Sequence, residues 1–526
     1  MTYVSVIVPV YNPGSDIDDC IASLLGQTLP RERLELIFVD DGSTDGTPAR
    51  LDELAASHPH VRVEHIPNSG WPGRPRNVGM DMARGDFVFF ADNDDWLPAD
   101  SLERLHAMAL LDDADIVIGK VVAHGKRMGR ALFERNLHGV PFDSAGLLAL
   151  LSPHKLFRRA LLEEHGLRFP EGRRRLEDHA FVVDAYFRAR RISVLSDHPC
   201  YHWVRREEAT TASAERFDAE GYFENVREVL DLVEQRTEPG PWRDELQAHW
   251  YRGKMLGRVG GRRWLGRDPQ WRQELFEVVR ALALERFGEE VHERLPFSLR
   301  VRSKLLRAGD IDALGRLARY ERRLRPTVRL RGIDRGGTHL VLRLESWLGT
   351  PDARLRFERR GNRTLWVPPT ENLAGAVAEA DRDVTGELRR ASVEVFLRSL
   401  ADDSEYTLPA RTRVRMKSGD EPGWIRPRLE TTVPIAPTAA AAGGPLPSGR
   451  WEVRAKVTVA GFARTVPVPR RGEPLVVTTY APGRIVVGDQ APPPPRLRLR
   501  VYRRLPGPVT KAFRRTRARA AAVSRR

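Results

Sequence analysis

The sequence predicts an α/β protein in three successive parts: a mostly parallel sheet wrapped by helices, a helical segment, and an antiparallel β-sandwich region. Three observations lead there. Short β-branched runs alternate with helical stretches from Thr2 to about Trp203; apolar residues then keep a helix period to about Arg325; from Thr327 apolar and polar residues alternate around glycine turns. The chain has 526 residues, and at about 150 residues per domain that length gives roughly three. The expected division is 1–217, 218–325, 326–490 (one or two β modules) and a basic tail over 491–526.

Val4 to Val10 is a continuous β-branched run ending in a turn at Asn12-Pro13-Gly14. A helix follows, with Ile17, Ile21, Leu24 and Leu25 on one face, and then a strand from Leu34 to Val39. Further strands are expected over Val61 to Ile66, Phe87 to Phe90 and Ile116 to Val122. Uninterrupted apolar strands alternating with helices indicate a parallel sheet covered on both faces. In the second part Tyr222, Val226, Val229, Leu230 and Val233 repeat at helical spacing, with similar stretches near Leu246 and from Leu275 to Leu284. In the third, segments such as WEVRAKVTVAGF alternate in the manner of strands with one face on a core. The Ala-, Pro- and Gly-rich stretch Pro434 to Gly449 suggests a flexible insertion or a boundary between β modules.

Charged residues make up 30% and apolar ones 41%, the balance of a folded soluble chain rather than a disordered one. The formal charge of +15 predicts attraction to a polyanion: nucleic acid, acidic headgroups or an anionic polymer. Cys20 and Cys200 are far apart and match neither a zinc site nor a disulfide scaffold, so two buried thiols in a reducing cytoplasm are expected. The first residues carry no basic n-region or cleavage site, and no apolar run approaches the roughly 20 residues of a membrane span. Work on the cytoplasmic side is therefore expected.

Four segments place polar residues at strand ends. VIVPVYN sets Pro9, Tyr11 and Asn12 just beyond the first strand; LIFVDDGSTDGT sets Asp40 and Asp41 beyond the second. The loop NSGWPGRPRNVGM carries Asn68, Arg74, Arg76 and Asn77, and DFVFFADNDDW runs from a buried strand straight into Asp92, Asp94 and Asp95. In an open parallel sheet the ligand crevice lies beyond the carboxyl ends of the strands, where these groups would converge. A D-x-D pair there suits a hard divalent ion, Mg²⁺ or Mn²⁺, bridging a diphosphate. Taken alone, such a triplet more often describes acids solvating a turn. Glu177-Asp178 taken alone likewise more often describes favourable first-turn acids of the helix HAFVVDAYFRAR.

The segments SVIVPVYN, FVDDGSTDGT, RNVGMDMARGDFVFFADNDDW and HKLFRRALLEEHGLRFPEG followed by EDHAF resemble, in order and spacing, the signatures of GT-A-fold family 2 glycosyltransferases, across about the first 205 residues. The resemblance implies a Rossmann-like GT-A catalytic domain and an inverting transfer from a nucleoside-diphosphate sugar, usually a uridine one. It implies that Pro9, Tyr11 and Asp41 border the base and ribose, and that Asn68 and Arg76 contact the nucleotide. Asp92 then lies near the ribose or donor sugar and Asp94 ligates the metal, with Asp95 supporting the site or capping a helix. Asp178 is the implied catalytic base, with Glu177 orienting a neighbour. Lys155, Arg205 and Arg206 stand where the family approaches the diphosphate, whereas His179 alone more often marks a structural histidine.

The order of parts also resembles the wall teichoic acid glycosyltransferases of Gram-positive bacteria, which move N-acetylglucosamine from its uridine diphosphate onto a poly(alditol phosphate). A polyphosphate acceptor suits the positive charge. HWYRGKMLGRVGGRRW offers Arg252, Lys254, Arg258, Arg262 and Arg263 as a strip that could grip successive phosphates, or simply as a solvated helix surface. The resemblance further implies a homo-oligomer through the β region. After Asp489 no acidic residue occurs, and the arginine-rich tail is expected to tether the chain to an anionic membrane surface. No nucleic-acid partner is expected. Two other readings remain: a transferase for capsular or lipid-linked glycan, and an inactive polyanion-binding protein, against which the intact Asp41, Asp92, Asp94 and Asp178 stand.

Overall fold

The computed structural model describes residues 3–125, 129–143, 146–204, 217–336, 339–351, 355–419, 422–480 and 483–488. Its first part is built on an eight-stranded sheet. The strands are β1 (Val4–Val10), β2 (Leu34–Asp40), β3 (Val61–His65), β4 (Phe87–Phe90), β5 (Ile116–Ala123), β6 (Leu137–Val140), β7 (Leu156–Arg158) and β8 (Ile192–Trp203). Their order is β3-β2-β1-β4-β7-β5-β8-β6. Pairs β1–β2, β2–β3, β1–β4 and β5–β8 are parallel, and β7 runs antiparallel between β4 and β5. The chain goes from β1 to one side through β2 and β3, then returns to the other side at β4. That switch opens a crevice beyond the carboxyl ends of β1, β2 and β4.

Helices α1 (Ile17–Leu25), α2 (Thr47–Ser57), α3 (Gly73–Met82), α4 (Ser101–Leu111), α5 (Arg159–Glu164) and α6 (Glu177–Arg188) accompany this sheet. Every residue of β1, β2 and β4 is buried, which is why these strands are apolar throughout instead of alternating. α3 packs close on β1 because Gly79 leaves room: a Cβ there would lie 2.4 Å from Ile7 Cγ2. Pro9 lies within β1, opposite Val39, rather than beyond the strand. The pairing of β1 with β4 ends at Ile7–Phe90, so the missing N–H falls where that neighbour has turned away, and the Pro9 carbonyl accepts from Asn93 Nδ2 at 3.1 Å.

The helical part runs from α7 (Ala219–Arg236) and α8 (Pro241–Trp250) through a π-helical turn, Tyr251–Leu256, to a last helix over Ile311–Arg323. Two antiparallel sheets follow, one centred on Trp424–Ile435 and one on Gly449–Val459. In the latter Trp451, Val453, Ala455, Val457 and Val459 face inward at period two. Strands Ser392–Ser399 and Glu405–Leu408 of the second sheet precede Arg411–Ser418 of the first in sequence, so the two sheets interleave. The stretch Pro434 to Gly449, expected as a flexible insertion or a boundary between β modules, joins a strand of one sheet to a strand of the other. Pro434 lies inside a strand, Ala440 and Ala441 are buried, and Ala441 bridges Gly444, making a packed crossover between the sheets. The second sheet also packs on the first part: Arg130 binds Glu394 at 2.7 Å and Glu405 at 2.9 Å, and Tyr406 donates to the Asp197 carbonyl at 3.3 Å. Both cysteines are buried, and burial pushes the Cys200 thiol up to about 12. Among the described residues no helix is long and apolar enough to cross a membrane.

Candidate active site

The loops after β1 and β2 are tied together before any ligand arrives. Asn12, at φ 44°, accepts from the Thr44 backbone N–H at 2.7 Å and donates from Nδ2 to Thr44 at 3.3 Å. Asp40 is buried and faces back into the fold, accepting from Ser43 N at 3.1 Å and lying 2.8 Å from His65 Nδ1. Asp41 faces the next loop, where its two carboxylate oxygens accept from the backbone N–H and hydroxyl of Ser69, both at 2.9 Å. Asn68 Nδ2 donates to the Asp41 carbonyl at 3.0 Å. Gly42 permits this approach, with φ 72° and no space for a side chain: a Cβ would sit 2.7 Å from Asn68 N. Burial raises the Asp41 pKa against the bonds from Ser69. Tyr11 stands half exposed at the mouth.

The centre of the crevice is Arg76. Its guanidinium is buried in α3, donating to Asp92 at 2.9 Å and to Glu177 at 3.2 Å, so it joins the end of β4 to the start of α6. Asp92 also lies 3.1 Å from His154 Nε2. Burial alone would raise the Asp92 pKa, but His154 and Arg76 hold it well below the usual carboxylate range. Asp95 caps no helix. It is fully buried and accepts from the Tyr201 hydroxyl and the Val204 N–H, both at 2.7 Å, while Tyr201 Oη accepts from the Asp92 N–H at 3.0 Å. Burial and the neighbouring Asp92 and Asp94 push Asp95 well up.

Opposite them, Leu176 adopts φ 63°, a left-handed conformation that non-glycine residues seldom hold, and turns the chain into α6. Glu177 and Asp178 therefore do occupy the first turn of a helix, yet they are also held by tertiary partners. Glu177 accepts from Trp71 Nε1 at 3.0 Å as well as from Arg76, and burial with Asp178 beside it raises its pKa. Burial likewise raises the Asp178 pKa, opposed by the charges of Lys254 and Arg76. Lys155 is buried beneath, where desolvation lowers it to about 7 against the pull of Asp178. His179 accepts from Trp250 Nε1 at 3.3 Å, the structural role expected of a lone histidine.

The residues of the basic strip stand on different elements. Lys254 stands on the π-helical turn and acts on Asp178, but Arg258 stacks at 4.0 Å over Tyr222, and Arg262 is exposed on a separate short helix, Gly261–Leu265. Arg252 is half-buried on the same turn as Lys254. Arg205, Arg206 and the tail lie outside the described residues. Ser69, Trp71, His154 and Tyr201 were not singled out from sequence, although each adjoins a quoted motif or closes a buried strand. One ligand atom each from Asp92, Asp95 and His154 lies within 4.8 Å of the others, an acidic cluster whose oxygens fit a hard cation. Asp94, half-buried, stands beside it.

A doubly wound sheet with D-x-D after its central strand and an acid pair facing it defines a GT-A-type glycosyltransferase domain. Residues 5–198 match the family Glycosyl transferase family 2, and residues 219–318 match the Glycosyl transferase TarS linker domain; the chain carries the two in tandem. It is 34% identical over 232 residues to the poly(ribitol-phosphate) beta-glucosyltransferase of Bacillus spizizenii, covering 44% of this chain and 36% of that protein. It is 32% identical over 316 residues to the poly(ribitol-phosphate) beta-N-acetylglucosaminyltransferase TarS of Staphylococcus aureus, covering 59% of this chain and 54% of that one. The chain thus spans about half or less of the length of these relatives. The structure of S. aureus TarS 1–349 in complex with UDP-GlcNAc superposes with a TM-score of 0.55 at 26% identity, covering 65% of this chain and 96% of that one. A further crystal structure of S. aureus TarS, at 19% identity and a TM-score of 0.54, shares the fold across 94% of this chain and 86% of that one.

Proposed function

We propose that this chain is an inverting transferase that moves N-acetylglucosamine or glucose from its uridine diphosphate onto a hydroxyl of an alditol-phosphate wall polymer. The observation that carries the reading is Arg76, whose one guanidinium ties Asp92 on the donor side to Glu177 beside Asp178 on the acceptor side. The likeness to TarS, solved with UDP-GlcNAc, supports the donor class, and the two relatives differ in the sugar they transfer.

In this mechanism Asp41, Asn68, Pro9 and Tyr11 hold the nucleotide. Asp94, with Asp92 close by, would hold a divalent ion, Mn²⁺ or Mg²⁺, which would neutralise charge on the departing diphosphate. Asp178 takes the proton of the acceptor hydroxyl as it attacks from the face opposite the nucleotide, and the burial that raises its pKa makes it a stronger base. Glu177 fixes Trp71 and Arg76 in place. Lys254 and Arg252 on the π-helical turn, with Arg262 on the short helix after it, meet acceptor phosphates, and Arg205 or Arg206 meets the diphosphate. The chain works at the inner face of the membrane, held there by its basic tail, and forms oligomers through the β region.

Transfer from UDP-N-acetylglucosamine and UDP-glucose onto poly(ribitol phosphate) and poly(glycerol phosphate), with and without Mn²⁺, tests the reading. Sugar incorporation that requires a divalent ion is expected. Incorporation into a lipid-linked oligosaccharide but into neither polymer would refute the acceptor. Salt-sensitive cosedimentation with anionic vesicles, lost on deletion of residues 491–526, tests the tether.

A further inference from the structure

A second cationic site lies outside the catalytic crevice. Between the carboxyl end of β5 and the second antiparallel sheet is a cavity of about 400 Å³, within the roughly 300–1,000 Å³ typical of small-ligand sites. Its cations come from both sides: Lys120 and Arg130 from the first part of the chain, and Arg398, Arg454, Lys456 and Arg464 from the β region. The acidic residues lining it are Asp403 and Glu405. Arg130 is clamped by Glu394 and Glu405 and lies 3.6 Å over the Phe396 ring, Arg398 pairs with Asp403 at 2.9 Å, and Lys456 pairs with Glu394 at 3.1 Å. Arg454 pairs in turn with Glu452 at 2.5 Å; these pairs hold the cations in fixed positions, and along the wall itself six cations face two acids.

Lys120 is the decisive member. It is buried, its Nζ has no hydrogen-bond partner, and the amine sits 3.3 Å from the centroid of Tyr406. A buried ammonium that donates no hydrogen bond is costly unless an anion completes its surroundings. Desolvation lowers its pKa to about 7, against the opposing charges of Glu405, Asp197 and Asp402 around it. The site also adjoins the donor crevice through hydrogen-bonded backbone. Lys120 and Val121 of β5 pair with Pro199 and Tyr201 of β8, and Tyr201 is the residue that holds the Asp92 backbone and Asp95.

We propose that this cavity is a phosphodiester-binding site that holds a stretch of the alditol-phosphate acceptor away from the reacting hydroxyl. The assignment to acceptor rests on the transfer reaction proposed above; the phosphodiester site itself rests on the cavity. An elongated acceptor would then touch the chain twice, at the crevice and between the sheets, so that long polymers bind more tightly than short ones through effective concentration.

The test uses the full chain and a triple variant, Lys120→Met, Arg454→Gln, Lys456→Gln, none of which belongs to the catalytic crevice. Calorimetry with a short synthetic poly(glycerol phosphate) oligomer should show binding weakened by at least about tenfold in the variant, the scale of losing charge-assisted contacts. UDP affinity should be unchanged. Wild-type binding near pH 7.5 should take up protons, read from the dependence on buffer ionisation enthalpy, and Lys120→Met alone should abolish that uptake. In transfer assays KM for long polymer should rise in the triple variant while kcat and KM for a monomeric acceptor stay put. Equal oligomer affinity in the folded variant and wild type would overturn the site. Oligomer binding that depends on these residues in a chain that transfers no sugar to such polymers would uphold the site and refute the transfer reading instead.

Discussion

The catalytic crevice and the C-terminal sheets treat charge in opposite ways. In the crevice Asp41, Arg76, Asp95 and Glu177 are buried, and each is bound to a partner that lies tens of residues away in sequence. In the sheets most ion pairs are solvent-facing, among them Arg343–Asp334 at 57% and 51% exposure. Pairs of the second kind contribute about 0–1 kcal/mol. Buried charges cost several kcal/mol to desolvate and persist only where excellent geometry or function retains them. The contrast separates a region whose charges are held for chemistry from one whose charges, outside the cavity against the first part, mostly support the surface, and mutations should break the two differently.

The largest expected effect is at the base. Asp178→Asn keeps the side-chain shape and removes the proton acceptor, so kcat should fall by about 10² to 10⁴, with UDP affinity nearly intact by titration. Wild-type turnover would move the role to Glu177. Arg76→Met should come next. It leaves Asp92 and Glu177 facing each other's field without their shared cation, and breaking a buried pair in this way costs about 3 kcal/mol or more. Urea unfolding should show that loss together with weakened UDP binding, and stability equal to wild type would mean the bridge is not formed in solution.

A third test uses pH. Burial and Asp178 raise the Glu177 pKa above its unfolded value, so the native state retains that proton more tightly. The resulting stabilisation is present at pH below the ordinary glutamate range and is lost as pH rises through the raised folded value. Glu177→Gln, permanently neutral, should therefore gain stability relative to wild type as pH climbs from about 4 to 7. A difference in melting temperature that stays flat across that range would show that Arg76 already compensates the charge.

How much of this was legible in the sequence follows from range. Strands such as Val4–Val10 and Phe87–Phe90 were readable to the residue because burial on both faces writes a local pattern. The polar residues at their ends were readable because the sheet type fixes where ligands bind. The partners were not. Ser69 on Asp41, Trp71 on Glu177 and Tyr201 on Asp95 are contacts between separate segments, for which no periodicity exists. The layout of the basic strip was hidden for a different reason. Its residues lie close in sequence, but Lys254 stands on a π-helical turn and Arg258 stacks on Tyr222. The interleaving of the two C-terminal sheets was equally invisible, since alternation specifies that a segment is a strand but not which sheet it joins.

The smallest expected effect on activity lies in the exception within the supporting region. Glu345 is the acidic residue of the first antiparallel sheet that is buried, 5% exposed, and it accepts from Arg331 Nε at 2.8 Å and pairs with Arg428 at 2.6 Å. If burial of charge marks function wherever it occurs, Glu345→Gln should impair transfer. The geometry argues otherwise: both arginines reach solvent, so they can be rehydrated when the carboxylate is neutralised. Glutamine still accepts one hydrogen bond. The expected outcome is a stability loss of about 1 kcal/mol, the scale of one weakened charge-assisted bond, with kcat and KM for donor and acceptor unchanged. A transfer defect without a stability defect would end the division of the molecule into a chemical region and a supporting one.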